Sequence, residues 1–182
     1  MKLKEFYEKI YNKIFSVPLF KMLLKIPGVE KLLQYEIVSY LFFGVLTTVV
    51  NFAVYMVMGI FAGENYEEKI LFTIGKYDFP LIILMNAIAW IAAVVFSFIT
   101  NKLFVFESSS WKLPIFIKEF LSFIGARIIS FLVFEELIFI LIVTKLGVND
   151  IIAKVLIAVF VIVFNYIASK LIIFRKKGET NA

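Results

Sequence analysis

Neither cysteine nor histidine occurs in the chain. Their absence removes disulfides, thiolate and imidazole metal ligands, and every nucleophilic triad that uses either residue, so cysteine usage says nothing about compartment. Carboxylates alone form no metal-ligand pattern, and neither a metal nor another cofactor is expected. Also missing are the Gly-x-x-x-x-Gly-Lys phosphate loop and the Gly-x-Ser-x-Gly elbow, the usual signs of ATP hydrolysis and acyl transfer. An enzyme is therefore the least favoured class, and any transport is passive, ion-coupled or driven by a partner. Charge is scarce as well. Only 18% of residues are charged against 62% hydrophobic, with 22 phenylalanines among 182 positions. A domain of this size cannot bury that much apolar surface in water, so a bilayer must cover it.

The net charge of +5 invites a nucleic-acid reading, but the placement of the basic residues excludes it. Lysines run through the first 31 residues and a basic cluster closes the chain, each flanking apolar segments where anionic lipid headgroups lie. From Glu36 to Glu64 no charge intervenes, ample for a helix crossing about 30 Å of hydrocarbon at about 1.5 Å per residue. Four transmembrane helices are expected, at about 38–62, 79–101, 119–143 and 151–174. Asp78 and Pro80 should open the second, and Asn149 and Asp150 should cap the fourth. The third is interrupted by Arg127, Glu135 and Glu136. Fourteen Lys or Arg fall in the N-terminal segment, the 102–118 loop and the C-terminal tail, against four near the other two loops. The positive-inside bias then makes both termini cytoplasmic.

Residues 1–37 lack the apolar core and cleavage site of a signal peptide. Leu3, Phe6, Ile10 and Ile14 keep helical spacing among charged residues, the pattern of an amphipathic helix lying on the cytoplasmic leaflet; a solvated arm or a contact with a partner chain is the plainer alternative. Pro18 and Pro27-Gly28 should break this arm into short pieces. Aligning Val95–Phe106 on Val163–Phe174 gives six identities in twelve positions, Lys102 matching Lys170. With Gly44 and Gly125 as counterparts upstream, the chain reads as two helical hairpins repeated in the same orientation about an axis along the membrane normal. The expected fold is all-α: a polytopic membrane domain at 38–176 between the N-terminal arm and a short cytoplasmic tail at 177–182.

Gly44 with Thr47, Thr48 and Asn51, then Asn86-Ala87, then Phe98-x-x-Asn101-Lys102-x-x-x-Phe106, resemble the GtrA-like family of small membrane proteins. Ala153-Lys154 and Tyr166-x-x-Ser169-Lys170-x-x-x-Phe174 repeat the pattern more weakly. Where the family commonly shows Arg after the Asn, both halves here carry Lys, and Ser169 replaces the second Asn. The resemblance implies translocation of polyprenyl-phosphate-linked sugars across the cytoplasmic membrane, or assistance to the glycosyltransferases that use them, in decorating teichoic acid or other surface polysaccharide. Its partners would be the lipid-linked sugar, membrane lipids and a membrane-associated glycosyltransferase. Because four helices enclose little space, a homo-oligomer is also expected. The rivals are a non-transporting subunit that anchors or activates a glycosyltransferase, and a small proton-coupled multidrug exporter.

An unpaired charge in hydrocarbon costs a few kcal/mol or more. Arg127 is therefore either a lipid-phosphate ligand, its guanidinium matching phosphate oxygens, or half of a buried ion pair that fixes helix register. Lys102 and Lys170 read either as snorkelling anchors at helix ends or as a two-sided collar for the same phosphate. Glu135 and Glu136 are interface carboxylates if the third span ends early, and a proton or ion-pair site if it continues past them. Asn51, Asn86, Asn101 and Thr48 should bond between helices or line a polar groove facing sugar hydroxyls.

Overall fold

The computed structural model describes residues 2–17 and 29–174. The expected breaks at Pro18 and Pro27-Gly28, and the basic tail from Arg175, lie outside the described residues. The chain forms two compact units, residues 1–105 and 106–182.

In the first unit, α1 (Lys2–Phe15) and the single turn α2 (Val29–Leu32) precede α3 (Tyr35–Ala62). Leu3, Phe6, Ile10 and Ile14 of α1 are all exposed. The Tyr7 hydroxyl donates to the Leu33 carbonyl, and its ring stands edge-on to Tyr35, 5.5 Å between centroids. Burial, with Tyr11 and Glu8 nearby, pushes the Tyr7 phenol up from its ordinary pKa. α3 packs along α4 (Leu81–Thr100), which runs straight on as a π-helical turn, Asn101–Val105. The buried stripe of α4 is Met85, Ala89, Ala93 and Ser97, every fourth residue and mostly small. Small side chains let apolar helices approach where the hydrophobic effect does not drive them together.

An all-α fold with a loop between the first two spans was expected, and there the structure differs. After a 3₁₀ turn at Tyr66–Glu68, β1 (Ile70–Ile74) and β2 (Tyr77–Pro80) pair antiparallel. Gly75 takes the left-handed φ of +63° that the two-residue turn requires, and the flanking Ile, Phe, Thr and Tyr suit strands. Asp78 does not cap the helix. It lies in β2 and accepts from Thr73 Oγ1 at 2.7 Å, while Pro80 immediately precedes α4 instead of opening its first turn.

In the second unit α5 (Leu113–Ser130), a π-helical segment (Phe131–Ile138) and α6 (Phe139–Leu146) form one continuous helical run. Pro114 opens its first turn and Gly147, at φ +63°, ends it. α7 (Asp150–Ala168) follows and again passes into a π turn, Ser169–Ile173. Asn149 caps α7 as expected, its Oδ1 accepting from the Ile151 and Ile152 amides at 3.0 and 3.4 Å.

The repeat is visible in burial. Shifting by 68 residues maps buried Met85, Ala89, Ser97, Thr100, Asn101, Val105 and Phe106 onto buried Ala153, Ile157, Asn165, Ala168, Ser169, Ile173 and Phe174. The π turns begin at Asn101 and Ser169, the same shift. Among the described residues three helices, Tyr35–Ala62, Leu81–Val105 and Ile151–Ile173, are long and apolar enough to cross a membrane. Asn149→Ala should lower stability by about 1 kcal/mol and Asn149→Ser much less, measured by thermal unfolding in detergent; equal melting of all three proteins would remove the capping role.

Candidate functional site

Each transmembrane helix that ends in the basic motif concentrates its buried polar groups there. In the first unit Ser97, Thr100, Asn101 and Lys102 are 2%, 6%, 1% and 0% exposed. Thr100 Oγ1 donates to the Phe96 and Ser97 carbonyls at 2.9 and 3.1 Å, and Asn101 Nδ2 donates to the Ser97 carbonyl at 2.7 Å and to Ser97 Oγ at 3.3 Å. Side chains thus load the carbonyls of the last regular turn, competition that loosens an α-helix and accompanies its widening into the π turn. The Tyr35 hydroxyl donates to the Phe104 carbonyl inside that turn at 3.0 Å, and Phe43 stacks on Phe104 at 5.3 Å.

The second unit has the same ingredients with Ser and Asn exchanged: Asn165 and Ser169 stand where Ser97 and Asn101 stand in the first. Asn165 Nδ2 donates to Ser130 Oγ at 3.1 Å, and Ser130 Oγ donates to the Arg127 carbonyl at 2.9 Å. The third π segment begins immediately after Ser130. Phe106 and Phe174, which end the two motifs, stack at 5.3 Å.

These bonds fix how the amides face. Asn101 Nδ2 is held by a carbonyl, which only accepts; Ser130 spends its proton on the Arg127 carbonyl, so it must accept from Asn165 Nδ2. Both amide oxygens therefore point away from these partners. Asn101 Oδ1 and Asn165 Oδ1 are the buried side-chain polar atoms without a hydrogen-bond partner among the described residues. A buried acceptor left unmet is unfavourable by about 1–3 kcal/mol, so its presence in a folded protein calls for a structural or functional reason.

The remaining candidates are distributed as follows. Lys102, expected to snorkel or to collar a phosphate, is fully buried in the first unit, so snorkelling does not describe it. Lys170 is exposed, its Nζ 3.2 Å from the Tyr166 hydroxyl and 5.5 Å from the ring centre. Arg127 is half-buried with its guanidinium 5.0 Å over the Phe123 ring, a cation–π contact one turn back along α5. Thr48 and Asn86 are exposed and turned onto their own helices, Thr48 Oγ1 to the Gly44 carbonyl at 3.4 Å and Asn86 Nδ2 to the Ile82 carbonyl at 3.0 Å. Asn51 is half-buried on α3, and a Cβ added at Gly44 or Gly125 would meet open space. Glu136 is exposed within the π segment; the Glu135 side chain lies outside what is described. Sequence reading missed the buried Glu119, which accepts from Ser108 Oγ at 3.0 Å, and the Ser130–Asn165 bond. Nothing in local spacing marks either pairing.

A duplicated helical unit with long apolar helices and a buried amide–lysine motif defines a polytopic membrane protein. Residues 39–174 match the family model described as the GtrA/DPMS transmembrane domain, and the chain belongs to that family. It is 31% identical over 140 residues to the protein named uncharacterized membrane protein YwcD of Bacillus subtilis (strain 168), an alignment covering 77% of this chain and 97% of that protein. It is 33% identical over 145 residues to the cell wall teichoic acid glycosylation protein GtcA of Listeria monocytogenes serovar 1/2a, covering 79% and 87%. The Listeria innocua protein of the same name is 32% identical over 143 residues, covering 78% and 86%. No solved structure matches.

Ser130→Ala strips the partner from Asn165 Nδ2 and should destabilise the protein by about 1–3 kcal/mol. Adding Asn165→Leu should recover part of that loss, because no buried polar group is then left unpaired. Denaturant titration in detergent measures both, and simple additivity of the two changes would contradict the pairing.

Proposed function

We propose that this protein carries a polyprenyl-phosphate-linked sugar across the cytoplasmic membrane for glycosylation of a cell-wall polymer. Family membership and the printed role of the GtcA relatives in teichoic acid glycosylation support the pathway. The observation that carries the transport reading is chemical. Each unit sets a lysine close in sequence to an amide oxygen that lacks a donor among the described residues, Lys102 beside Asn101 and Lys170 five residues after Asn165, and the Ser130 hydroxyl links Asn165 to the Arg127 backbone. A lipid-linked sugar offers the converse, phosphate oxygens that take cations and hydroxyls that donate. Thr48, Asn51 and Asn86 extend the polar groups available to the sugar along α3 and α4.

In this reading the α5–α6 run is the fourth crossing. It is continuous from Leu113 to Leu146, and at about 1.5 Å per residue it exceeds a hydrocarbon core of about 30 Å. Four crossings keep both termini cytoplasmic, in line with the basic-residue bias. The π segment that holds Glu135 and Glu136 gives this crossing its adaptable stretch, and α1 rests its exposed apolar residues on the inner leaflet. Glu136 acts as an interface carboxylate, and phosphate binding needs no protein-derived cofactor or nucleotide.

The test is reconstitution into liposomes containing undecaprenyl-phosphate-linked sugar, with lectin accessibility reporting its movement. Arg127→Gln and Lys102→Gln should each slow movement at least about tenfold, the loss expected when a charge-assisted hydrogen bond of about 1.5–3 kcal/mol disappears, while Lys102→Arg should retain most of the rate. Unchanged rates in both glutamine variants, with helical content preserved, would end the proposal.

A further inference from the structure

The hairpin joining α3 to α4 has two chemically different faces. Cross-strand pairing sets Phe72 opposite Phe79, Thr73 opposite Asp78 and Ile74 opposite Tyr77. Side chains alternate along each strand, so Phe72, Ile74, Tyr77 and Phe79 share one face, whereas Thr73 and Asp78 share the other. The polar face is closed on itself by the Thr73–Asp78 hydrogen bond. The apolar face is joined by the stacked Phe72 and Phe79 rings, 4.7 Å between centroids. It is nevertheless uncovered: Phe72, Ile74 and Tyr77 are 47%, 61% and 76% exposed.

An isolated two-stranded hairpin is marginal in water, so this face needs cover, and the attachment of the hairpin supplies it. β2 enters α4 with no linker, the Leu81 amide donates to the Lys69 carbonyl at 2.8 Å, and Lys69 Nζ donates to the Ala62 carbonyl that ends α3. Both ends of the hairpin are thereby pinned where two membrane-crossing helices leave the bilayer. Ile60 and Phe61 at the end of α3 are likewise exposed. The hairpin cannot enter the hydrocarbon core, because the outer edges of two strands carry unpaired backbone groups. The boundary between headgroups and acyl chains satisfies both demands, with water and headgroups for the edges and acyl chains for the aromatic face.

We propose that the Ile70–Pro80 hairpin is a lipid-binding element that lies in the headgroup–acyl boundary with Phe72, Ile74, Tyr77 and Phe79 turned into the bilayer. Thr73 and Asp78 then face water, and Lys76 at the turn reaches lipid phosphates. This assignment does not rest on the carrier reading and holds for any cargo.

The chain has no native cysteine, so single-cysteine variants label without background. Nitroxides placed through Phe72→Cys, Ile74→Cys, Tyr77→Cys, Thr73→Cys and Asp78→Cys are read in the full-length protein in phosphatidylcholine–phosphatidylglycerol liposomes. Labels at 72, 74 and 77 should collide several-fold more with oxygen than with an aqueous nickel chelate, and labels at 73 and 78 should show the inverse. Water-like accessibility at all five sites would overturn the proposal. So would shielding of 72, 74 and 77 from both probes with dipolar broadening between copies, which would mean that a second chain covers the face. Tyr77→Trp, in a Trp90→Phe and Trp111→Phe background, gives an independent reading: lipids brominated near the headgroup end of the acyl chains should quench it strongly, whereas quenching by aqueous iodide alone would contradict insertion.

Discussion

A polar side chain inside an apolar helix has few partners, and in hydrocarbon the nearest are the carbonyls of its own backbone. That constraint organises both units. Thr100 and Asn101 take the Phe96 and Ser97 carbonyls, and Ser130 takes that of Arg127. A π-helical segment begins at Asn101, directly after Ser130, and at Ser169. Widened turns of this kind occur often at functional sites, because they free backbone groups and redirect side chains. Beside them two buried amide oxygens have no donor among the described residues, and a lysine directly follows Asn101 and Ser169.

The two copies have diverged within a shared frame. Seven buried positions repeat at a shift of 68 residues, yet the Ser–Asn pair is inverted and the two lysines differ in exposure. Lys102 is wholly covered while Lys170 lies over Tyr166 at the surface.

Much of the scaffold was legible because apolar length and charge placement are local signals. The first, second and fourth spans, the Asn149 cap and the repeat through Lys102 and Lys170 all follow from spacing alone. The hairpin was not among the expected elements although Ile70–Ile74, Gly75-Lys76 and Tyr77–Phe79 carry a strand–turn–strand pattern, because apolar runs of three to five residues are too short for periodicity to mark as strands. The π turns were not legible, since no residue type specifies a widened turn without knowing which carbonyls its neighbours occupy. The burial of Lys102 and Glu119 was equally hidden, because long-range packing decides it, and a lysine at a helix end reads as an anchor wherever solvent is assumed nearby.

Native mass spectrometry of the protein extracted gently from its membrane bears most directly on whether the amide–lysine motif holds a phosphate-bearing sugar lipid. Wild-type protein should retain a polyprenyl-phosphate-linked sugar, and the combined Asn101→Leu and Lys102→Gln protein should lose that adduct while keeping bulk phospholipid. An identical lipid complement on both proteins would contradict the account.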